Sequence, residues 1–109
     1  MKRLIALVLV MMFAVLAGCA AIDVTKTAKG FHEPSNPNDI DILKTVPGYP
    51  FEELGTVTAT GFQPAETAKM HNGIRAKSAP LGATAVILTS EGIDVHGLKW
   101  ATGVAIVKK

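Results

Sequence analysis

The pattern of apolar and polar positions divides the chain into a leader, a polar segment and a small folded region. Residues 4–17 form an unbroken apolar run of 14 residues behind Lys2 and Arg3. This length is typical of a signal-peptide core and falls short of the ~20 residues that span a bilayer as a helix. Residues 19–39 are rich in Lys, Thr, Asn, Ser and Pro and lack an apolar period. They are predicted to form a flexible tether, part of which becomes ordered if Val24 and Phe31 dock on the domain.

The region from residue 40 to residue 109 shows the hydrophobic patterns of four strands. Polar and apolar residues alternate in three of them, whereas the third is a short β-branched run bounded by glycines, which indicates a central buried strand. Gly103, inside the last strand, predicts a bulge or a close neighbour. In the second strand, one face should hold Val57 and Ala59, and the other should hold Leu54 and the threonines. The predicted strands are residues 40–46, 53–61, 84–90 and 100–107, and the threonines are Thr56, Thr58 and Thr60.

One helix is predicted between the second and third strands. Pro64 suits a first helical turn, Met70 and Ile74 share an apolar stripe, and Pro80 should end the helix. Residues 91–99 are predicted to be a connecting loop or a loose hairpin. The order β-β-α-β-β indicates an α+β fold with the helix across one face of a small, mostly antiparallel sheet.

The apolar run ends in Leu16-Ala17-Gly18-Cys19, which resembles the lipobox of bacterial lipoproteins. The resemblance implies that a signal peptidase recognises Leu16, Ala17 and Gly18 and cleaves before Cys19, so that residues 1–18 are the signal peptide. It also implies a diacylglyceryl group on the Cys19 sulfur and an acylated amine, which together attach the protein to a membrane without spanning it. Cys19 is the only cysteine, so a disulfide within the chain is impossible. Because Ala20 is not the aspartate that resembles an inner-membrane retention signal, the periplasmic face of the outer membrane is expected in a two-membrane bacterium.

The charge balance excludes one class of partner. The precursor carries 11 Lys and Arg against nine Asp and Glu. Two of the basic residues belong to the leader, which leaves 11 − 2 = 9 basic and nine acidic residues after cleavage. A formally neutral chain lacks the basic face that nucleic-acid binding requires. The remaining length allows one domain.

Three stretches of the domain resemble a group of small bacterial envelope domains. They are residues 51–57 (FEELGTV), 81–88 (LGATAVIL) and 103–105 (GVA). The group includes the Rcs-type outer-membrane stress-sensor lipoprotein, the putative heavy-metal-binding domain family and related lipoproteins. The resemblance implies a fold and carries no site residues. The stress sensor has disulfide-forming cysteines, and the mature chain here has none beyond Cys19.

Few side chains in the sequence are candidates for metal binding or catalysis. His71, His96 and Asp94 are the best metal-ligand candidates, but their spacing matches no ligand motif, so no metal and no other cofactor is expected. The serines lack a G-x-S-x-G turn, so no enzymatic activity is expected. The sequence therefore predicts a lipid-anchored binding, sensor or accessory module whose partner is an envelope protein or a small ligand. The alternative is a periplasmic metal-binding domain. The expected contact residues are Thr56, Thr58, Thr60 and Trp100.

Overall fold

A computed structural model describes residues 20–109, and the leader and lipobox predictions fall outside this range. The described chain forms a five-stranded sheet with the strand order β1-β3-β5-β4-β2 and one helix on one face. All neighbouring strands are antiparallel except β2 and β4, which are parallel. The predicted α+β class is therefore confirmed. The elements are β1 (Ala21–Lys26), β2 (Asp41–Leu43), β3 (Phe51–Phe62), α1 (Thr67–Ser78), β4 (Ala85–Ile93) and β5 (Lys99–Lys108).

The helix begins and ends close to the predicted residues. Pro64 opens a 3-10 turn (Pro64–Glu66) that leads directly into α1. A second 3-10 turn (Ala79–Leu81) follows α1, and Gly82 ends it with a left-handed φ of 84°, a conformation that glycine adopts without steric cost. Met70 and Ile74 are fully buried under the helix. Within residues 20–109, no helix has the length and apolarity needed to cross a bilayer.

The tether prediction for residues 19–39 is wrong for a large part of that segment. Residues 21–26 form β1, an edge strand that pairs with β3 from Ala21 opposite Thr60 to Lys26 opposite Gly55. Ile22 and Val24 are half-buried against the main core, because they alternate with exposed polar residues as an edge strand requires.

The rest of the segment is also attached to the domain. The Ser35 backbone N–H donates to the Ala79 carbonyl (2.9 Å), and its Oγ donates to the Ala83 carbonyl (2.6 Å). His32 Nε2 lies 3.2 Å from a carboxylate oxygen of Glu52. These contacts hold residues 32–35 against the turn after α1 and the start of β3.

The strand register shifts at three places, one of which alters a predicted side-chain face; the shift between Ala59 and Phe62 lies at the end of β3. The β3–β5 register shifts between Glu53 and Gly55, so that Leu54 turns to the helix side and is 1% exposed. The prediction that placed Leu54 with the threonines is therefore wrong, because a bulge reverses the alternation at that residue. A further shift lies in β4 between Leu88 and Ser90. Gly103 pairs regularly with Leu88 and Val57 and lies against the Ile87 carbonyl, which confirms the close neighbour that was one of the two alternatives predicted there.

The strand boundaries also differ from the predictions. The first predicted strand shrinks to Asp41–Leu43. β4 extends to Ile93 and β5 begins at Lys99, so residues 91–99 form a tight hairpin. The central strand is β5, and β4 lies between it and β2. β4 is nevertheless buried on both faces, because Val86 and Leu88 join the core under α1 while Ala85 and Ile87 join a smaller cluster on the other face.

Candidate functional site

The sheet face opposite α1 is covered at one end and open over the rest. At the covered end, Leu43, Tyr49 and Phe51 pack on the small cluster formed by Ala85, Ile87 and Ile106. Lys108 Nζ lies 4.9 Å from the centroid of the Tyr49 ring, a cation–π distance. The open part carries mainly short hydroxylated side chains. We call it the threonine surface, and it consists of Asp23, Thr25, Thr56, Thr58, Thr60, Trp100 and Thr102.

The strand pairing places the members of the threonine surface in rows across the sheet. Thr58 lies opposite Asp23 of β1 on one side and opposite Thr102 of β5 on the other. Thr56 lies opposite Thr25. Directly paired residues of antiparallel strands project from the same face. The structure therefore brings Thr56, Thr58 and Thr60 together, all exposed, and adds Asp23 and Thr25, which the sequence analysis had assigned to the tether.

Trp100 borders this surface and lies over the hairpin. Its indole packs against Gly92, where an added Cβ would stand 3.0 Å from Trp100 Cζ2. Gly92 is the cross-strand partner of Trp100, and the absence of a side chain there lets the ring lie close to the backbone of β4. Trp100 is half-buried, so part of the residue remains accessible.

The metal candidates do not form a site among residues 20–109, where no group of three or more His, Cys, Asp and Glu side chains converges. His71 lies on α1, and His96 lies in the connection between β4 and β5. Asp94 Oδ1 accepts hydrogen bonds from the backbone N–H groups of His96 (2.8 Å) and Leu98 (2.9 Å). The spacing of Asp94 and His96 thus has a structural explanation, since the carboxylate organises the hairpin turn.

His71 is a half-buried titratable group whose Nε2 is buried and has no hydrogen-bond partner among residues 20–109. Burial lowers the pKa of His71, and the positive charges of Arg75 and Lys99 lower it further. The folded protein therefore favours the neutral imidazole, whereas the unfolded chain takes up a proton near the ordinary value of 6.5. Because the unfolded state binds more protons between these two pKa values, stability should fall as the pH drops through about 6.5 and level off below the folded pKa.

This pH dependence can be tested with His71→Leu. The variant should remove the titrating group and the unpaired nitrogen, so its free energy of unfolding should change less between pH 8 and pH 5 than that of the unaltered protein. Urea denaturation at several pH values measures the difference. His96→Gln serves as the control, because His96 is exposed. An unchanged pH slope in His71→Leu would contradict the assignment.

An apolar groove on the other side of the sheet was not predicted. It lies between β1 and α1, has a volume of about 570 Å³, and is lined by Ala20, Ile22, Phe62, Lys69, Gly73, Ala76 and Lys77. Gly73 makes the close approach possible, because a Cβ there would collide with Ile22 Cδ1. Alanine and glycine carry no chemical signal in a sequence, so only the position of β1 reveals this groove.

The comparisons with known proteins bear on the fold. No protein-family model and no curated protein matches the chain. The crystal structure of a Francisella virulence factor, FvfA, is similar to this chain with a TM-score of 0.61 and 13% identity, covering 80% of this chain and 97% of that one. At this identity the likeness shows a shared α+β fold and nothing about activity.

Proposed function

We propose that this chain is a lipid-anchored protein of the bacterial envelope that binds a partner protein through the threonine surface and has no catalytic role. The observation that carries the binding role is the open sheet face, where Thr58 stands exposed between Asp23 and Thr102. Short side chains on paired strands make a flat surface that a second protein can approach closely. Their hydroxyl groups can both donate and accept hydrogen bonds.

Two further features support this choice of face. The apolar side chains at its far end are already covered by Tyr49 and Phe51, so the open part does not need burial for the fold to form. Trp100 adds an accessible aromatic ring at its border, and aromatic residues are enriched among the residues that contribute most to protein–protein affinity. A hydroxylated patch with one carboxylate, Asp23, and one aromatic anchor suits a specific contact of modest affinity.

The anchoring part of the proposal rests on the lipobox and on the exposure of Ala20. Ala20 is exposed and is followed directly by β1 at the edge of the sheet. A modification on the neighbouring Cys19 therefore requires no rearrangement of the core. A contact surface held at a fixed membrane also meets a smaller set of partners, at a raised effective concentration.

Photo-crosslinking of the full chain in intact cells tests the binding role. A photoreactive amino acid at Thr60 should give a discrete adduct with an envelope protein, and the same residue at Ala68, which is exposed on α1, should not. Adding Thr58→Arg to the Thr60 variant should reduce the adduct about tenfold, as expected for a loss of about 1.4 kcal/mol. Equal labelling from both positions, or no adduct from Thr60, would contradict a partner on this face.

A further inference from the structure

The turn of the β4–β5 hairpin exposes apolar side chains at one end of the sheet. Residues 93–98, here called the hairpin tip, include Val95, which is 96% exposed, and Ile93, which is 55% exposed. Isolated exposed apolar residues are common. Here, however, two lie within three positions of each other at the end of a protruding hairpin, on the same hairpin as the half-buried Trp100.

The hairpin tip lies at the end of the sheet from which the chain continues toward Cys19. Ala21 pairs with Thr60, two residues before the end of β3. Phe62, the last residue of β3, pairs with Lys99. Lys99 in turn pairs with Ile93, where the tip begins. The start of β1, the end of β3 and the hairpin tip therefore share one end of the sheet.

The rise per residue of a strand and the reach of an extended chain show that Cys19 can lie at about the level of the hairpin tip along the strand direction. The tip begins two β3 residues beyond the level of Ala21, which is roughly 7 Å at the rise of a strand. Cys19 lies two positions before Ala21, and an extended chain covers at most roughly 7 Å over two residues. Across the sheet, β1 and β4 are three strand spacings apart, or about 14 Å. A bilayer that holds acyl chains on Cys19 is thus within reach of Val95.

The backbone of the hairpin tip is suited to an apolar boundary. The Asp94 N–H donates to the Leu98 carbonyl (2.8 Å), and the Gly97 N–H donates to the Asp94 carbonyl (3.0 Å). The Asp94 carboxylate accepts two more backbone N–H groups, those of His96 and Leu98. Moving a backbone N–H or C=O group from water toward lipid costs less free energy when the group is already hydrogen-bonded within the protein. The tip can therefore approach lipid without leaving these amides unpaired.

We propose that the hairpin tip contacts the bilayer at the boundary between headgroups and acyl chains, with Val95 and Ile93 inserted and Trp100 near the interface. Tryptophan is enriched at this depth of membranes. The inference rests on the proposed lipid anchor, and it adds the orientation of the domain. The end with the hairpin tip faces the membrane, and the threonine surface stands roughly upright beside it. A phospholipid surface is the occupant because it is what the adjoining anchor would bring to this end of the sheet.

The test uses the full lipidated chain in vesicles of phosphatidylethanolamine and phosphatidylglycerol. Val95→Cys supplies one free thiol, since the Cys19 sulfur is occupied by lipid, and it is labelled with an environment-sensitive fluorophore. Phe31→Cys is the matched control, because Phe31 is 77% exposed and follows the end of β1 that lies away from the anchor. The Val95 label should show a blue shift and a several-fold gain in emission, and a lipid carrying a quencher should reverse the gain. The Phe31 label should stay as in water.

The outcomes separate the two proposals. If the protein floats with the vesicles but the Val95 label behaves like the Phe31 label, the hairpin contact is wrong and the anchor stands. A blue shift at Val95 that the quencher lipid does not affect would indicate contact with a second copy of the chain, and would also overturn the bilayer contact. Protein that carries no lipid and does not float would overturn the anchor, and the orientation with it.

Discussion

Replacing Gly103 with valine should destabilise the domain strongly, by about 3 kcal/mol, the upper part of the range for overpacking a core. A Cβ at this position would stand 2.6 Å from the Ile87 carbonyl oxygen and 3.2 Å from Val86 Cγ1. The first obstacle is backbone of the neighbouring strand, and the second belongs to a fully buried side chain. Neither can move aside without disturbing the pairing of β4 and β5.

Gly48→Val is the matched control for this prediction. Gly48 lies in the connection between β2 and β3, has no positive φ, and has open space where a Cβ would be added. The same substitution there should change the free energy of unfolding by less than about 0.5 kcal/mol. Urea denaturation of residues 20–109 followed by circular dichroism gives both values. Equal midpoints for the two variants would show that the close approach at Gly103 does not constrain the fold.

The elements that the sequence predicted well are those whose pattern is local. Alternation of polar and apolar residues predicts β3 and β5. The stripe of Met70 and Ile74, with proline and glycine at the helix ends, predicts α1. The close approach at Gly103 was also predictable, since a glycine inside a strand often marks a bulge or a close neighbour. These signals need no knowledge of the neighbouring strands.

β1 was missed because its order comes from distant partners. Its six residues contain only two large apolar side chains, Ile22 and Val24, within a polar segment. Their burial depends on β3 beside them, and on Gly73, whose missing side chain leaves room for Ile22. A glycine in the middle of a helix costs about 1 kcal/mol relative to alanine, and the contact with Ile22 gives Gly73 a packing role in α1. The Leu54 error has a similar origin, since a bulge depends on the register with β5.

The candidate site was predictable in part for the same reasons. Thr56, Thr58 and Thr60 could be placed on one face from their spacing alone. Asp23 and Thr25 could join them only once β1 was paired. Asp94 and His96 attracted attention as possible metal ligands because of their residue types, whereas the hydrogen bonds of Asp94 give it a role in the turn. Residue type suggests a chemistry, and the neighbours decide whether the side chain is available for it.

Replacing Cys19 with serine should abolish acylation completely, which is the largest effect expected in this protein. A serine hydroxyl cannot take the place of the thiol that the lipobox resemblance implies as the acceptor. Native protein from cells should have the mass of residues 19–109 plus its lipid, whereas Cys19→Ser should retain the 18 leader residues and carry no lipid. Metabolic labelling with palmitate and intact-mass measurement check both statements. Ala20→Ser is the control, and it should be lipidated normally.

Loss of the lipid should also release the protein from the membrane. Residues 20–109 secreted behind a leader that is not lipidated should leave the membrane fraction almost entirely. One acyl chain gives only marginal binding, and a second makes it stable at about 0.8 kcal/mol per buried CH₂. The exposed Val95 and Ile93 side chains together offer far less apolar surface than two acyl chains, so the hairpin tip can orient the domain and cannot hold it. Native protein of full precursor length without added lipid mass would refute the anchor, and secreted domain that stays on the membrane would show that the protein surface itself supplies the attachment.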